Sequence, residues 1–114
     1  MGGYKVHRDQ KQLHTDVQAM EKAGAFAVVL ECVPAAAASE ISTQIAIPTI
    51  GIGAGTGCDG QILVIYDLLG IPDGNVSKHA KAYAALGEQI VATVKDYCTD
   101  VRNGDFPADD QTFV

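Results

Sequence analysis

The sequence predicts an α/β fold in which parallel strands alternate with helices. Three observations carry this: a continuous apolar run rich in strand formers at 25–30 with a second strand-like stretch at 48–52, apolar residues at helical spacing around them, and Gly or Pro at each change of period. Read in order, the elements run helix, strand, helix, strand, strand, helix, helix, the pattern of βα units joined by right-handed crossovers.

Residues 9–23 place Leu13, Val17 and Met20 on one helical stripe, with Asp9 as N-cap and Gly24 just past the end. The run 25–30 ends abruptly at Glu31 and reads as a strand buried on both faces. Pro34 opens a second helix through about Gln44, with alanines at 35–38 and with Ile41 and Ile45 on its inner side. The strand 48–52 runs into a loop holding Gly51, Gly53, Gly55, Gly57 and Gly60. Residues 62–65 read as a third strand, although Asp59 as N-cap and Gly70 just past the end also suit a short helix. A helix near 77–84 then leads into a long one from about 86 to 102, striped by Ile90, Val94, Tyr97 and Val101 and ended by Gly104.

The 114 residues carry 8 Lys plus Arg against 14 Asp plus Glu, a net charge of −6, and 47% of them are hydrophobic. Those values fit one domain, 1–114, with no internal boundary, and argue against intrinsic disorder. The acidic balance, without a basic cluster, argues against a nucleic-acid partner. No apolar stretch approaches the ~20 residues that span a bilayer, so no membrane partner is expected. Cys32, Cys58 and Cys98 are few, scattered and without zinc spacing, which fits free thiols and a cytoplasmic location. Three parallel strands alone leave two open edges and an inner apolar face, assigned to Val28, Leu30, Ile50, Ile52, Leu63 and Ile65, partly uncovered. The chain therefore reads as part of a larger barrel or sheet, and self-association is expected of it alone.

Glu31 stands directly at the C-terminal end of an apolar strand, where α/β enzymes place catalytic groups. Burial there would raise its pKa and suit it to proton abstraction; a carboxylate capping the helix that starts at Pro34 is the competing reading. The glycine loop from Gly51 to Gly60 reads either as an anion cradle or as a tight βα turn. It is not a P-loop, because no Gly-Lys-Ser/Thr follows, and it makes a poor dinucleotide fingerprint. Asp59 and Asp67 read as caps or solvated loop residues, and His7, His14 and His79 as surface residues. Tyr4 and Lys5 suit either an active-site flap or an ordinary loop.

These residues resemble the ketopantoate hydroxymethyltransferase family. The matching strings are Gly2-Gly-Tyr-Lys-Val6, Val29-Leu-Glu-Cys-Val-Pro34, Ile47-Pro-Thr-Ile-Gly-Ile-Gly-Ala-Gly55, Cys58-Asp-Gly-Gln-Ile-Leu-Val64, Asp67-Leu-Leu-Gly70 and Phe106-Pro107, in matching order and spacing. The resemblance implies that the chain is the C-terminal portion of a (βα)8 TIM-type barrel, about three parallel strands with flanking helices. It implies transfer of a hydroxymethyl group from 5,10-methylenetetrahydrofolate to 3-methyl-2-oxobutanoate in pantothenate biosynthesis, with Glu31 as general base and a homo-oligomeric enzyme. It also implies magnesium, whose ligands lie on strands outside this chain, so the chain alone is expected to be inactive. One departure is local: His7-Arg8-Asp9 stands where the family usually has Gln-Gly-Arg, which bears on the flap. The alternative from another class is a non-catalytic half-barrel that serves as an interaction or folding subunit.

Overall fold

The computed structural model describes residues 9–71, 74 and 77–113. The chain divides into two compact units, Met1–Leu63 and Val64–Val114.

The first unit opens with α1 (Gln10–Lys22), whose start is fixed by Asp9: its carboxylate accepts a hydrogen bond from the Gln12 N–H at 3.1 Å. Strand β1 (Val28–Glu31) follows, three residues shorter at its start than the apolar run and one longer at its end. Helix α2 (Ala35–Gln44) begins after Pro34, where a missing N–H costs nothing. Strand β2 (Thr49–Ile52) and the two-residue β3 (Gly60–Gln61) complete one parallel sheet in the order β1-β2-β3. Val28 pairs with Thr49, Glu31 with Ile52, and Gly51 with Gln61.

The register decides which face each side chain takes, because neighbours in a parallel pair point the same way. Val28 and Leu30, 7% and 3% exposed, pack with Val17 of α1 and Ala37, Ala38 and Ile41 of α2 into one core. Val29 and Glu31 point to the opposite face and are exposed. The inner face expected from sequence therefore mixed two sides of the sheet. Val28 and Leu30 belong with Thr49 and Gly51 against α1 and α2, while Val29 and Glu31 line up with Ile50 and Ile52 on the face away from those two helices. Leu63 lies beyond the strand altogether.

The second unit starts with the short helix α3 (Ile65–Leu69), ended by Gly70 at φ +64°, a left-handed conformation that glycine adopts without strain. The strand expected over 62–65 is thus corrected: pairing is confined to Gly60–Gln61, residues 62–64 are irregular, and Ile65 is helical. Gly70 as the terminator was the feature that argued for a short helix. The helix expected near 77–84 is absent, replaced by a turn in which the Ala80 N–H donates to Ser77 O, and by irregular chain. The long helix is present as α4 (Leu86–Asn103), ended by Gly104 at φ +77°. Its stripe of Ile90, Val94, Tyr97 and Val101 stays about half exposed, and no described residue of this unit is buried. A three-residue 3-10 turn, Asp109–Gln111, closes the described chain.

The architecture is mixed α/β, with three parallel strands in one open sheet and α1 and α2 packed on one face of it, consistent with part of a (βα)8 barrel. Among the described residues no helix is long and apolar enough to cross a membrane.

Candidate functional site

The C-terminal ends of β1 and β2 carry the candidate site, all of it within the first unit. Strand β1 ends at Glu31, whose carboxylate lies exposed on the face of the sheet opposite the helices. That differs from the burial expected among Leu30 and Val33, because the alternation that buries Leu30 and the turn that buries Val33 both direct Glu31 the other way. A helix-capping role is not seen for Glu31 either: Pro34 is the N-cap of α2, and no side chain caps it.

Cys32, next in the chain, has φ +52°, the one left-handed non-glycine conformation among the described residues. A residue with a Cβ pays for this conformation, which the surroundings must enforce. They do so here: the Cys32 N–H donates to Ile52 O at 3.0 Å, and its side chain is buried. The backbone therefore turns sharply just after Glu31 while the strand pairing holds to its last residue. Sequence reasoning read Cys32 only as a thiol; backbone angles have no signature in a single sequence. Cys32, Cys58 and Cys98 are all free.

The glycine loop after β2 is explained largely by packing. A Cβ on Gly55 would come within 2.5 Å of Ala35 Cβ, and one on Gly57 within 2.6 Å of Ser39 Cβ, so this backbone lies directly on the first turns of α2. Gly55 also has φ +75°. The loop ends in a polar clasp. The Asp59 carboxylate accepts hydrogen bonds from the Thr49 N–H at 2.8 Å and the Thr49 hydroxyl at 3.0 Å, and the Asp59 N–H donates back to Thr49 Oγ1 at 3.2 Å. Ser42 Oγ stands 2.7 Å from Thr49 Oγ1 and donates to Ala38 O at 2.8 Å. With the Thr49 proton given to Asp59, the single Ser42 proton is shared between Ala38 O and Thr49 Oγ1. The Thr49 N–H, then its hydroxyl, hold the Asp59 carboxyl below its ordinary value of 3.8. Asp59 is thus a clasp on β2 and not the helix N-cap expected of it: α3 starts at Ile65 with Val64 as its N-cap.

The remaining candidates are dispersed. Asp67 lies in α3, and His14 is on α1 with Nε2 3.8 Å from Glu40 Oε2, beside a polar groove of about 510 Å³ between α1 and α2 that does not include Glu31. His79 sits in the turn after Ser77. Tyr4, Lys5 and the altered His7-Arg8 stretch lie outside the described residues. Among the described residues no three His, Cys, Asp or Glu side chains converge.

The profile of a family described as ketopantoate hydroxymethyltransferase matches residues 1–109. A protein of Syntrophus aciditrophicus named 3-methyl-2-oxobutanoate hydroxymethyltransferase is 49% identical over 117 residues, covering 99% of this chain and 43% of that protein. Proteins of the same name from Acetivibrio thermocellus and Halalkalibacterium halodurans are 50% and 47% identical over 116 residues, covering 98% of this chain in both cases and 41% and 42% of theirs. The chain spans less than half the length of these relatives and matches their C-terminal part. A parallel βα architecture with a carboxylate at a strand's C-terminal end, joined to this match along nearly the whole chain, shows that the chain belongs to the ketopantoate hydroxymethyltransferase family.

Proposed function

We propose that residues 1–114 form, as a single domain segment without an internal boundary, the C-terminal part of a (βα)8 barrel that makes ketopantoate. The substrate is 3-methyl-2-oxobutanoate, the one-carbon donor is 5,10-methylenetetrahydrofolate, and Glu31 is the general base. The enzyme works in the cytoplasm as a homo-oligomer.

One observation carries the assignment of the base: Glu31 is the last residue of β1 and points to the face away from α1 and α2. In a barrel that face is the lumen, and catalytic residues come from the C-terminal ends of the strands. Proton abstraction from carbon beside a keto group suits a carboxylate positioned there. Water adds to the methylene carbon of the donor as one of its two carbon–nitrogen bonds breaks; Glu31 takes the proton from C3 of the keto acid, and the electron pair left on C3 forms the new carbon–carbon bond to that carbon as the second carbon–nitrogen bond breaks, so that tetrahydrofolate leaves with one proton from water and one from C3 on its two nitrogens. The backbone reversal at Cys32 and the pairing of Glu31 with Ile52 hold the carboxylate at the rim while the chain turns away into α2. The family resemblance brings magnesium with it. By the same resemblance, the side chains that would hold it lie on strands outside this chain.

The relatives' names favour this enzymatic reading over that of a non-catalytic half-barrel. The test joins this chain to the N-terminal part of the Syntrophus aciditrophicus relative and compares turnover with and without Glu31→Gln. Loss of a positioned general base lowers kcat by about 10²–10⁴-fold. Turnover unchanged by the substitution removes Glu31 from the mechanism.

A further inference from the structure

Resting on the reading of Glu31 as base, we propose that Cys32 is a positioning residue for it, acting through its backbone angle and its Cβ and not through its thiol. The two residues share one peptide, and that peptide is where β1 is held to β2 at the Glu31 end. The Val28 N–H donates to Pro48 O at 2.9 Å and the Cys32 N–H to Ile52 O at 3.0 Å, so the even-numbered residues of β1 turn their N–H groups toward β2. Alternation along the pair turns the Glu31 N–H and C=O toward the other edge of β1. On its C-terminal side, Glu31 is therefore tied to β2 through the Cys32 N–H.

At that same residue the chain leaves the strand with φ +52°. Every other described residue with a positive φ is a glycine, from Gly53 at +63° to Gly74 at +136°. Among the described residues, only the turn directly after Glu31 keeps a Cβ. The Cβ narrows the angle: the left-handed well of an ordinary residue spans roughly +50 to +70° in φ, whereas glycine ranges widely over positive φ. Rotation about Cys32 φ and rotation about Glu31 ψ move the same peptide, so a turn that wanders at Cys32 tilts the backbone that carries the carboxylate. Cys32 is buried, and so is Val33 after it, which lets the surroundings hold the strained angle. Glycine would remove the strain and the restriction together. The restriction falls beside the one carboxylate whose direction matters for proton transfer, and strain of this kind at a reacting group is a form of pre-organisation.

The test uses the whole barrel made by joining this chain to the N-terminal part of the Syntrophus aciditrophicus relative. Cys32→Ala removes the thiol and keeps the Cβ; Cys32→Gly removes both. Three readouts are taken: kcat and KM for 3-methyl-2-oxobutanoate, exchange of its C3 hydrogen in D₂O with magnesium and without the folate donor, and thermal unfolding. Cys32→Ala is expected to stay within about twofold of the unaltered enzyme in kcat and C3 exchange. Cys32→Gly is expected to lower both together by roughly three- to thirtyfold with KM kept, less than the ~10²-fold that a 1 Å misplacement costs. A Cys32→Gly variant as active as Cys32→Ala overturns the proposal. An equal loss in both variants overturns it too, because the thiol and not the Cβ would then matter. A loss confined to KM, or a lowered melting temperature with kcat kept, overturns the positioning of the base. So does a glycine variant without a cooperative melting transition, since the Cβ would then serve folding; Cys32→Ala stands as the second check. Failure of the base assignment shows separately, as turnover and C3 exchange that survive Glu31→Gln.

Discussion

Thr49 is fully shielded from water, yet its hydroxyl and its backbone N–H both meet the Asp59 carboxylate. Thr49→Val keeps the shape and removes the hydroxyl, leaving Ser42 Oγ and the Asp59 N–H without that partner. A loss of about 1–3 kcal/mol is expected from urea unfolding of the whole barrel, as for other buried polar groups left unmatched. Asp59 adds a pH signature. Its folded-state pKa lies below the ordinary 3.8, so the clasp contributes fully above that value and is lost as pH falls through the folded one. Stability measured from pH 5 down to pH 2 should therefore fall less steeply for Asp59→Asn than for the unaltered protein; equal slopes would contradict the clasp. At this scale the sequence was partly legible. Glu31 stood out because an apolar run stops at it. The pairing of Asp59 with Thr49 did not, because ten residues separate the partners and only the fold brings them together.

Among the elements, the glycine loop gives the sharpest expectation. Gly55→Ala needs a left-handed φ and would force a methyl onto Ala35, and it should cost about 1–3 kcal/mol from overpacking in addition to backbone strain. Gly60→Ala is the matched control, since the nearest atom to its added methyl is Ile50 Cγ1 at 4.0 Å. Thermal unfolding should separate the two variants clearly; an equal loss in both would mean that the loop does not rest on α2. Helices α1, α2 and α4 and strand β2 were legible because their period, caps and glycine stops agree. The run 62–65 was not, since a short apolar stretch suits either period: 62–64 are irregular, and the helix that Gly70 ends starts only at Ile65. The expected helix near 77–84 failed because its apolar residues are mostly alanines and it had no buried face to hold it.

At the scale of the molecule, β1 and β3 of the first unit each pair only with β2 among the described residues, which leaves the outer edge of both strands open, and Phe26 and Val29 are 91% and 52% exposed. A (βα)8 domain takes about 250 residues to close its ring. The 114-residue chain by itself should therefore sediment as a self-associated species and produce no ketopantoate, with open edges and apolar faces driving association. A monomer that turns over would contradict the partial-barrel account. The partial barrel itself was legible from three strands that cannot close a sheet. The orientation of the faces was not, because a run apolar at every position does not say which residues meet the helices. The most direct test of Glu31 as base isolates the proton step. In the completed barrel, with magnesium and without the folate donor, NMR in D₂O follows the exchange of the C3 hydrogen of 3-methyl-2-oxobutanoate. With Glu31 in place the hydrogen should exchange catalytically, and Glu31→Gln should slow that exchange by about 10²-fold or more; exchange at an undiminished rate in the Gln variant would contradict the account.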